Sequence, residues 1–264
     1  MESVILGLQS KKRISAVGKN KLKKFADMEQ FQNVIQVPYR AINHSNHSLK
    51  GKWNEHFFKN YMPLVLELGC GKGEYTTGLA KIDKSKNYIG VDIKGARMWK
   101  GARFAIENNL TNVAFLRTHI EMLDQLFAPG EVAEIWLTFP DPQMKKTRKR
   151  LTSTRFIEMY RRFIKPGGLI HLKTDSNFQY QYTLEMIKAN GFEIVDQISD
   201  IYTEPIVPEK LKIKTFYEKQ WLLRGINIKY LAFIPHQNQL IEPDVDIEPD
   251  SYRSFGRGAV TIDE

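Results

Sequence analysis

The chain has 264 residues, 42% apolar and 11% aromatic, enough to fill one large core or two modest ones, which excludes intrinsic disorder and a miniprotein. Lys and Arg number 39 against 30 Asp and Glu, a net charge of +9 that favours an anionic partner such as nucleic acid or a membrane surface. One cysteine cannot make an internal disulfide and no Cys/His cluster has zinc-ligand spacing, so a reducing compartment and no structural metal are expected. The apolar stretch Val4 to Leu8 is too short for a signal core, and no run approaches the ~18 apolar residues of a membrane span. A soluble, cytoplasmic protein is expected.

Residues 1–50 carry Lys11, Lys12, Arg13, Lys19, Lys21, Lys23 and Lys24 with no acid among them, followed by a polar loop from Asn43 to Ser48. This reads as a basic N-terminal extension, partly mobile, suited to phosphate contact as well as to plain solvation. From Leu64 the pattern alternates: apolar runs at Leu64–Leu68, Tyr88–Val91, Val113–Leu116, Glu134–Phe139 and Leu169–Leu172 are each followed by a stretch of helical length. Such alternation predicts a parallel sheet covered by helices, with helices over Glu74–Lys81, Gly95–Asn108, Thr152–Ile164 and Phe178–Ala189. The third is expected to stop at Lys165-Pro166-Gly167-Gly168, where proline and two glycines cannot continue it. Strands are expected at Gly168–Thr174, Phe192–Ile198 and Ile228–Ile234, with an amphipathic segment over Thr215–Arg224. The resulting division is an extension over 1–50, an α/β domain over 51–235 and an acidic, proline-bearing tail over 236–264.

Glu67-Leu68-Gly69-Cys70-Gly71-Lys72-Gly73 falls where the first strand of the domain passes into a helix. Glycines at every second position leave bare backbone for a ligand to lie against. A dinucleotide fingerprint would be G-x-G-x-x-G with a helix N-terminus aimed at a pyrophosphate; here a carboxylate stands at the strand end, which repels an anion and suits a cation. Asp92 ends the next strand, placed to accept hydrogen bonds from both hydroxyls of a ribose. A ribose with a positively charged amino acid end and no phosphate describes S-adenosylmethionine. Taken singly, the glycines read as a tight turn and Asp92 as a helix cap; their register argues for the ligand. Cys70, with no base beside it, reads as a packing residue.

The fourth strand of the domain ends in Thr138-Phe139-Pro140-Asp141-Pro142 and runs into Gln143-Met144-Lys145-Lys146-Thr147-Arg148-Lys149-Arg150. Two prolines force a stiff turn that holds Asp141 at the carboxyl edge of the sheet, where open α/β sheets bind ligands. Five basic residues in one loop exceed what a solubility face needs and point to phosphate contact.

These motifs, together with His171-Leu172-Lys173-Thr174-Asp175, resemble the bacterial tRNA (guanine-N7)-methyltransferases over most of the span from Leu64 to Arg224. The resemblance implies a Rossmann-like class I methyltransferase fold, S-adenosylmethionine as cofactor, and methylation of a guanine in the tRNA variable loop, usually position forty-six. It implies that Glu67, Gly69, Gly71, Gly73, Asp92, His119 and Asp141 line the cofactor, with Asp141 also at the methyl-transfer site. Lys145, Asp175 and Thr215-Phe216-Tyr217-Glu218 would contact the substrate. The chain departs from the family at Gln143, where a Trp is common, and at His119, where an acid is usual.

Guanine N7 has a lone pair and no proton at neutral pH, so its attack needs no general base, and proximity and alignment carry most of the help. Methylation leaves the purine cationic, and Asp141 or Asp175 would stabilise that charge while reading the N1 and N2 edge. Lys145 suits phosphate or O6 better than N7. Asp175 doubles as a helix cap in this reading, and Tyr217 suits core packing as well as base contact. The alternatives are methylation of another RNA and a non-catalytic RNA-binding relative; an oxidoreductase is disfavoured because residue 74 is Glu rather than the third glycine.

Overall fold

The computed structural model describes residues 16–39, 46–236 and 238–253; Lys11, Lys12, Arg13 and His44 lie outside the described residues. Strand β2 (Leu64–Leu68) shows why a sheet buried on both sides forms: Leu64, Leu66 and Leu68 enter one apolar core and Val65 enters another. The same alternation recurs in β3 (Asn87–Asp92), β4 (Val113–Arg117), β5 (Val132–Thr138) and β8 (Lys229–Ile234), while β6 (Ile164–Thr174) gives Ile170 and Leu172 to one core and buries His171 and Lys173 on its other face. Strands without a wet face read as continuous apolar runs and need helices on both sides.

With β1 (Val34–Gln36) and β7 (Glu193–Ile198), the strands form one sheet in the order β1-β4-β3-β2-β5-β6-β8-β7. Neighbours pair parallel except β8, which runs antiparallel to β6 and β7. Helices α1 (Ala16–Gln30), α2 (Glu74–Ile82) and α3 (Gly95–Glu107) cover one face through Met28, Tyr75, Leu79, Met98 and Ala102. Helices α4 (Thr154–Tyr160) and α5 (Asn177–Asn190) cover the other through Phe156, Tyr160, Met186 and Ile187. Helix α6 (Phe216–Leu222) follows a stretch of turns.

The expected α/β architecture holds, with three differences. Residues 16–39, inside the segment set apart by composition, form α1 and the edge strand β1, whose Val34 pairs with Phe115 of β4. The helix expected over Thr152–Ile164 is only Thr154–Tyr160, because Val132 N–H already donates to Phe163 O and Ile164 already pairs with Val132. Lys165-Pro166-Gly167-Gly168 is therefore a bulge within β6 rather than a helix stop: pairing resumes at Glu134 and Leu169. Finally, residues 238–250 of the acidic tail have no helix or strand, yet two of their acids are tied to the body. The Glu242 carboxylate accepts from the Thr154 N–H at 3.1 Å and from the Tyr182 hydroxyl, and that of Asp250 from the Phe178 N–H at 3.0 Å and the Ser176 hydroxyl.

Candidate active site

The carboxyl ends of β4, β3, β2, β5 and β6 lie side by side, and each expected residue before Thr215 sits on one of them or on the loop that follows. From β2 the chain builds outward through β3 and β4, then returns to the other side of β2 with β5 and β6. The β2/β5 boundary is thus the point where the winding direction reverses, the place where open α/β sheets characteristically form a ligand crevice.

Glu67, on β2, is buried and its side chain bridges to α2 and β5: Thr76 donates through both backbone N–H (2.8 Å) and hydroxyl, and the Thr138 hydroxyl donates to the other oxygen. Burial nevertheless raises its pKa to about 7, against the pull of those hydrogen bonds. After β2 the glycines divide into two kinds. A side chain at Gly69 would meet nothing and at Gly71 only a carbonyl 3.9 Å away, so this backbone borders open space. A Cβ at Gly73 would lie 2.5 Å from the Phe115 ring, so this glycine serves the packing of α2 on β4. All three have positive φ, the region that favours glycine.

The Asp92 carboxylate accepts from Gly71 N–H at 2.9 Å and from Lys94 N–H at 2.7 Å, linking the glycine loop to the start of α3. Cys70 beside it is buried, and burial pushes its thiol pKa well up, in keeping with a packing role. His119 follows β4, half-buried, with the Tyr39 ring edge-on at 5.6 Å.

After β5, Phe139 and Gln143 both have positive φ, 50° and 46°, and bracket Pro140-Asp141-Pro142. Side chains rarely adopt that region, so two such residues around one turn mark a backbone held against its preference. The Phe139 N–H donates to Lys173 O (2.8 Å) and the Gln143 N–H to the Asp141 carboxylate (3.0 Å), which stays exposed. The basic loop is not uniform. Lys145, Lys146, Arg148 and Lys149 are exposed, but Arg150 is buried, donating to the carbonyls of Gln143 and Met144 and resting on the Phe178 and Tyr182 rings. One of the five cations therefore holds the loop rather than facing outward.

At the end of β6, Asp175 is buried and accepts from the Tyr252 hydroxyl at 2.9 Å; the cap of α5 is Ser176, which accepts from Gln179 N–H. The late segment reaches the same place from a distance. Thr215 caps α6 in a reciprocal box with Glu218, the Phe216 N–H donates to Glu74 at 2.8 Å, and the Lys72 ammonium sits 3.4 Å from the Phe216 ring centre. Tyr217 is 37% exposed and lies beside Phe216 and the Arg97 guanidinium. Glu218 is fully buried: it pairs with Lys173 of β6 at 2.7 Å and accepts from the Tyr202 hydroxyl. The Lys173 ammonium also donates to the carbonyls of Leu211 and Ile213. The sequence motifs that include Lys173 and Thr138 give neither a role, and Thr76 lies outside any motif; the buried Lys173–Glu218 pair joins residues 45 apart, and no local pattern announces it.

The family described as "Putative methyltransferase" matches residues 61–231. A tRNA (guanine-N(7)-)-methyltransferase of Bacteroides fragilis is 56% identical over 91% of this chain and 96% of its own length. Its counterpart from Porphyromonas gingivalis is 53% identical over 87% and 96%. The chain belongs to the tRNA (guanine-N(7)-)-methyltransferase family. Solved structures agree on the fold. The 16S rRNA methyltransferase KamB superposes with a TM-score of 0.53 at 15% identity, covering 69% of this chain and 92% of that one. A 30S ribosomal methyltransferase from an uncultured bacterium gives 0.53 over 73% and 98%. Among the described residues, no group of three His, Cys, Asp or Glu is placed to hold a metal ion, and no helix is long and apolar enough to cross a membrane.

Proposed function

We propose that this protein transfers the methyl group of S-adenosylmethionine to N7 of a guanine in the tRNA variable loop, at position forty-six, and does so in the cytoplasm. The observation that carries the reading is the placement, at the carboxyl ends of neighbouring strands, of an open glycine backbone beside Asp92 and an exposed Asp141 on a strained turn. The residues fit the cofactor: Gly69 and Gly71 leave the room a ligand needs, Asp92 accepts from a ribose diol, and Glu67 favours the cationic amino acid end. Bound there, S-adenosylmethionine supplies a methyl group already activated by its sulfonium. Gly73 supports the cradle through packing, and His119 borders it on the β4 side.

The protein's own work is then positioning and charge. Asp141 faces the purine as it becomes cationic, a contribution made mainly in the transition state. Asp175 reads the N1 and N2 edge, which separates guanine from adenine. Lys145 engages phosphate or O6, while Phe216 and Tyr217 flank the crevice next to the glycine loop. Thr215 and Glu218 act on that flank through the α6 cap and Lys173.

The test is incubation of an unmodified tRNA transcript with methyl-labelled S-adenosylmethionine, followed by mapping of the labelled base. Label confined to N7 of the variable-loop guanine is expected. Label on another base or atom, or on ribosomal RNA in preference to tRNA, contradicts the proposal.

A further inference from the structure

The two helical faces of the molecule treat their cations differently. On the α4/α5 side, basic side chains pair with acids: Arg161 with Glu158, Arg162 with Asp124 at 2.7 Å and Lys188 with Glu185 at 4.0 Å. On the α1–α3 side, more of them rest on aromatic rings, as Arg155 of α4 also does on Phe156. The Lys24 ammonium lies 5.0 Å from the Trp99 ring centre, with Arg103 at 5.2 Å from the same ring, and Lys81 lies 4.5 Å from that of Phe104. Arg103 also pairs with Glu107, but Lys23, Lys24, Lys81, Lys94, Arg97 and Lys100 have no carboxylate within 4.0 Å among the described residues. The indole N–H of Trp99 donates to Asp27 at 2.9 Å, which fixes the ring.

A ring holds a cation in place without cancelling its charge, whereas a carboxylate does both. The α1–α3 face therefore presents ordered positive charge that Asp27, Glu74 and Glu107 offset only in part. It is also grooved: clefts of about 510 and 500 Å³ lie between α1 and α3 and between α2 and α3, and both are bordered by Trp99 and Arg103. Along α3, Lys94, Arg97, Lys100 and Arg103 recur every third residue, stepping away from the crevice by ~4.5 Å each. Asp92 at the head of that row joins it to the glycine loop.

We infer that the α1–α3 face is a phosphate-backbone track that carries the tRNA body away from the methyl-transfer crevice. The inference rests on the proposed function and names a contact surface in addition to the loop over 145–149. Both clefts are lined mainly by cations and apolar or aromatic side chains, with the acids Asp27, Glu74 and Glu107 also at their walls, so the track holds backbone without reading base sequence. An acidic protein surface is the competing occupant.

The experiment compares wild type, the triple variant Lys23→Gln/Lys81→Gln/Lys100→Gln, and the opposite-face control Arg162→Gln/Lys188→Gln, each with an unmodified tRNA transcript across a salt series. The three changed lysines are exposed, so folding is preserved. The triple variant is expected to bind tRNA more weakly, with the slope of log affinity against log salt flattened by ~0.7–0.9 for each phosphate no longer neutralised. KM for tRNA rises, while kcat and S-adenosylmethionine affinity stay at wild-type values. An unchanged slope and KM in the triple variant overturns the inference and leaves the face to a protein partner. Equal flattening by the control pair overturns it too, since net charge alone would then explain the effect. Absence of tRNA methylation by the wild type would instead count against the proposed function itself.

Discussion

Glu67 is a buried carboxyl with donors on both oxygens, and burial still lifts its pKa from 4.5 to about 7. The folded protein therefore holds a proton that the unfolded chain has released over that interval, and stability falls as pH rises from about 4.5 to 7, by ~3 kcal/mol in all for this group. Glu67→Gln should remove that dependence, so thermal unfolding of the variant should show a smaller decline over the same interval; a parallel decline would place the titration elsewhere. A cation in the crevice reverses the balance, so binding of S-adenosylmethionine near neutrality should release a proton, read as buffer-dependent binding enthalpy in the wild type and absent in Glu67→Gln. Asp141 is a different case, being exposed and set on a turn flanked by Phe139 and Gln143 at positive φ. Asp141→Asn keeps size and hydrogen-bonding capacity but removes the charge proposed to oppose the purine cation, so single-turnover methyl transfer should fall by ~10²–10³ with tRNA binding little changed. A rate within a few-fold of wild type would pass the role to Asp175. The prolines and glycines made this turn and the cradle legible in the sequence, because each has a local consequence for backbone. The partners of Glu67 were not legible: Thr138 lies 71 residues away, and only the alignment of β2 with β5 brings it near.

Helix α6 and the basic loop show how a short element acquires a fixed place. Seven residues are too few for a helix to hold itself, and α6 depends on its capping box, the Phe216 to Glu74 bond and the ion pair of Glu218 with Lys173. Lys173→Met would strand the Glu218 carboxylate in the interior, at a cost of ~3–5 kcal/mol. Lys173→Met/Glu218→Met removes both charges and should recover most of that stability by chemical denaturation; a double variant as unstable as the single one would show that the pair itself, rather than the orphaned charge, matters. In the basic loop, neutralising Lys146, Arg148 and Lys149 should flatten the salt dependence of tRNA affinity by up to ~0.7–0.9 per phosphate released and leave cofactor affinity unmoved. An unaltered slope would make the loop a solvated face. Arg150 belongs to the fold rather than to that test, a distinction a run of basic letters does not carry, because only the Phe178 and Tyr182 rings reveal it. Elements with a strong period were legible to within a residue or two, such as α2, α3 and α5. Pro166-Gly167-Gly168 misled because the same residues suit a helix end and a strand bulge; the tertiary pairing of Ile164 with Val132 decides between them.

At the scale of the whole molecule, strand order gathers the candidate site, and the proposed role of the charge distribution is to orient the substrate. Five parallel strand ends lie side by side at one edge of the sheet, and rings hold Lys24 and Lys81 in a chain whose net charge is +9. Such a surface attracts any polyanion, so selectivity for one atom of one base has to come from the crevice. The direct measurement is methyl transfer to two otherwise identical tRNA transcripts, one with guanosine and one with 7-deazaguanosine at position forty-six, the latter carrying carbon in place of N7. Equal binding of both, stoichiometric labelling of the first and none of the second is the predicted result. Labelling of the 7-deaza transcript at a rate comparable to the first would contradict methyl transfer to N7 of that guanine.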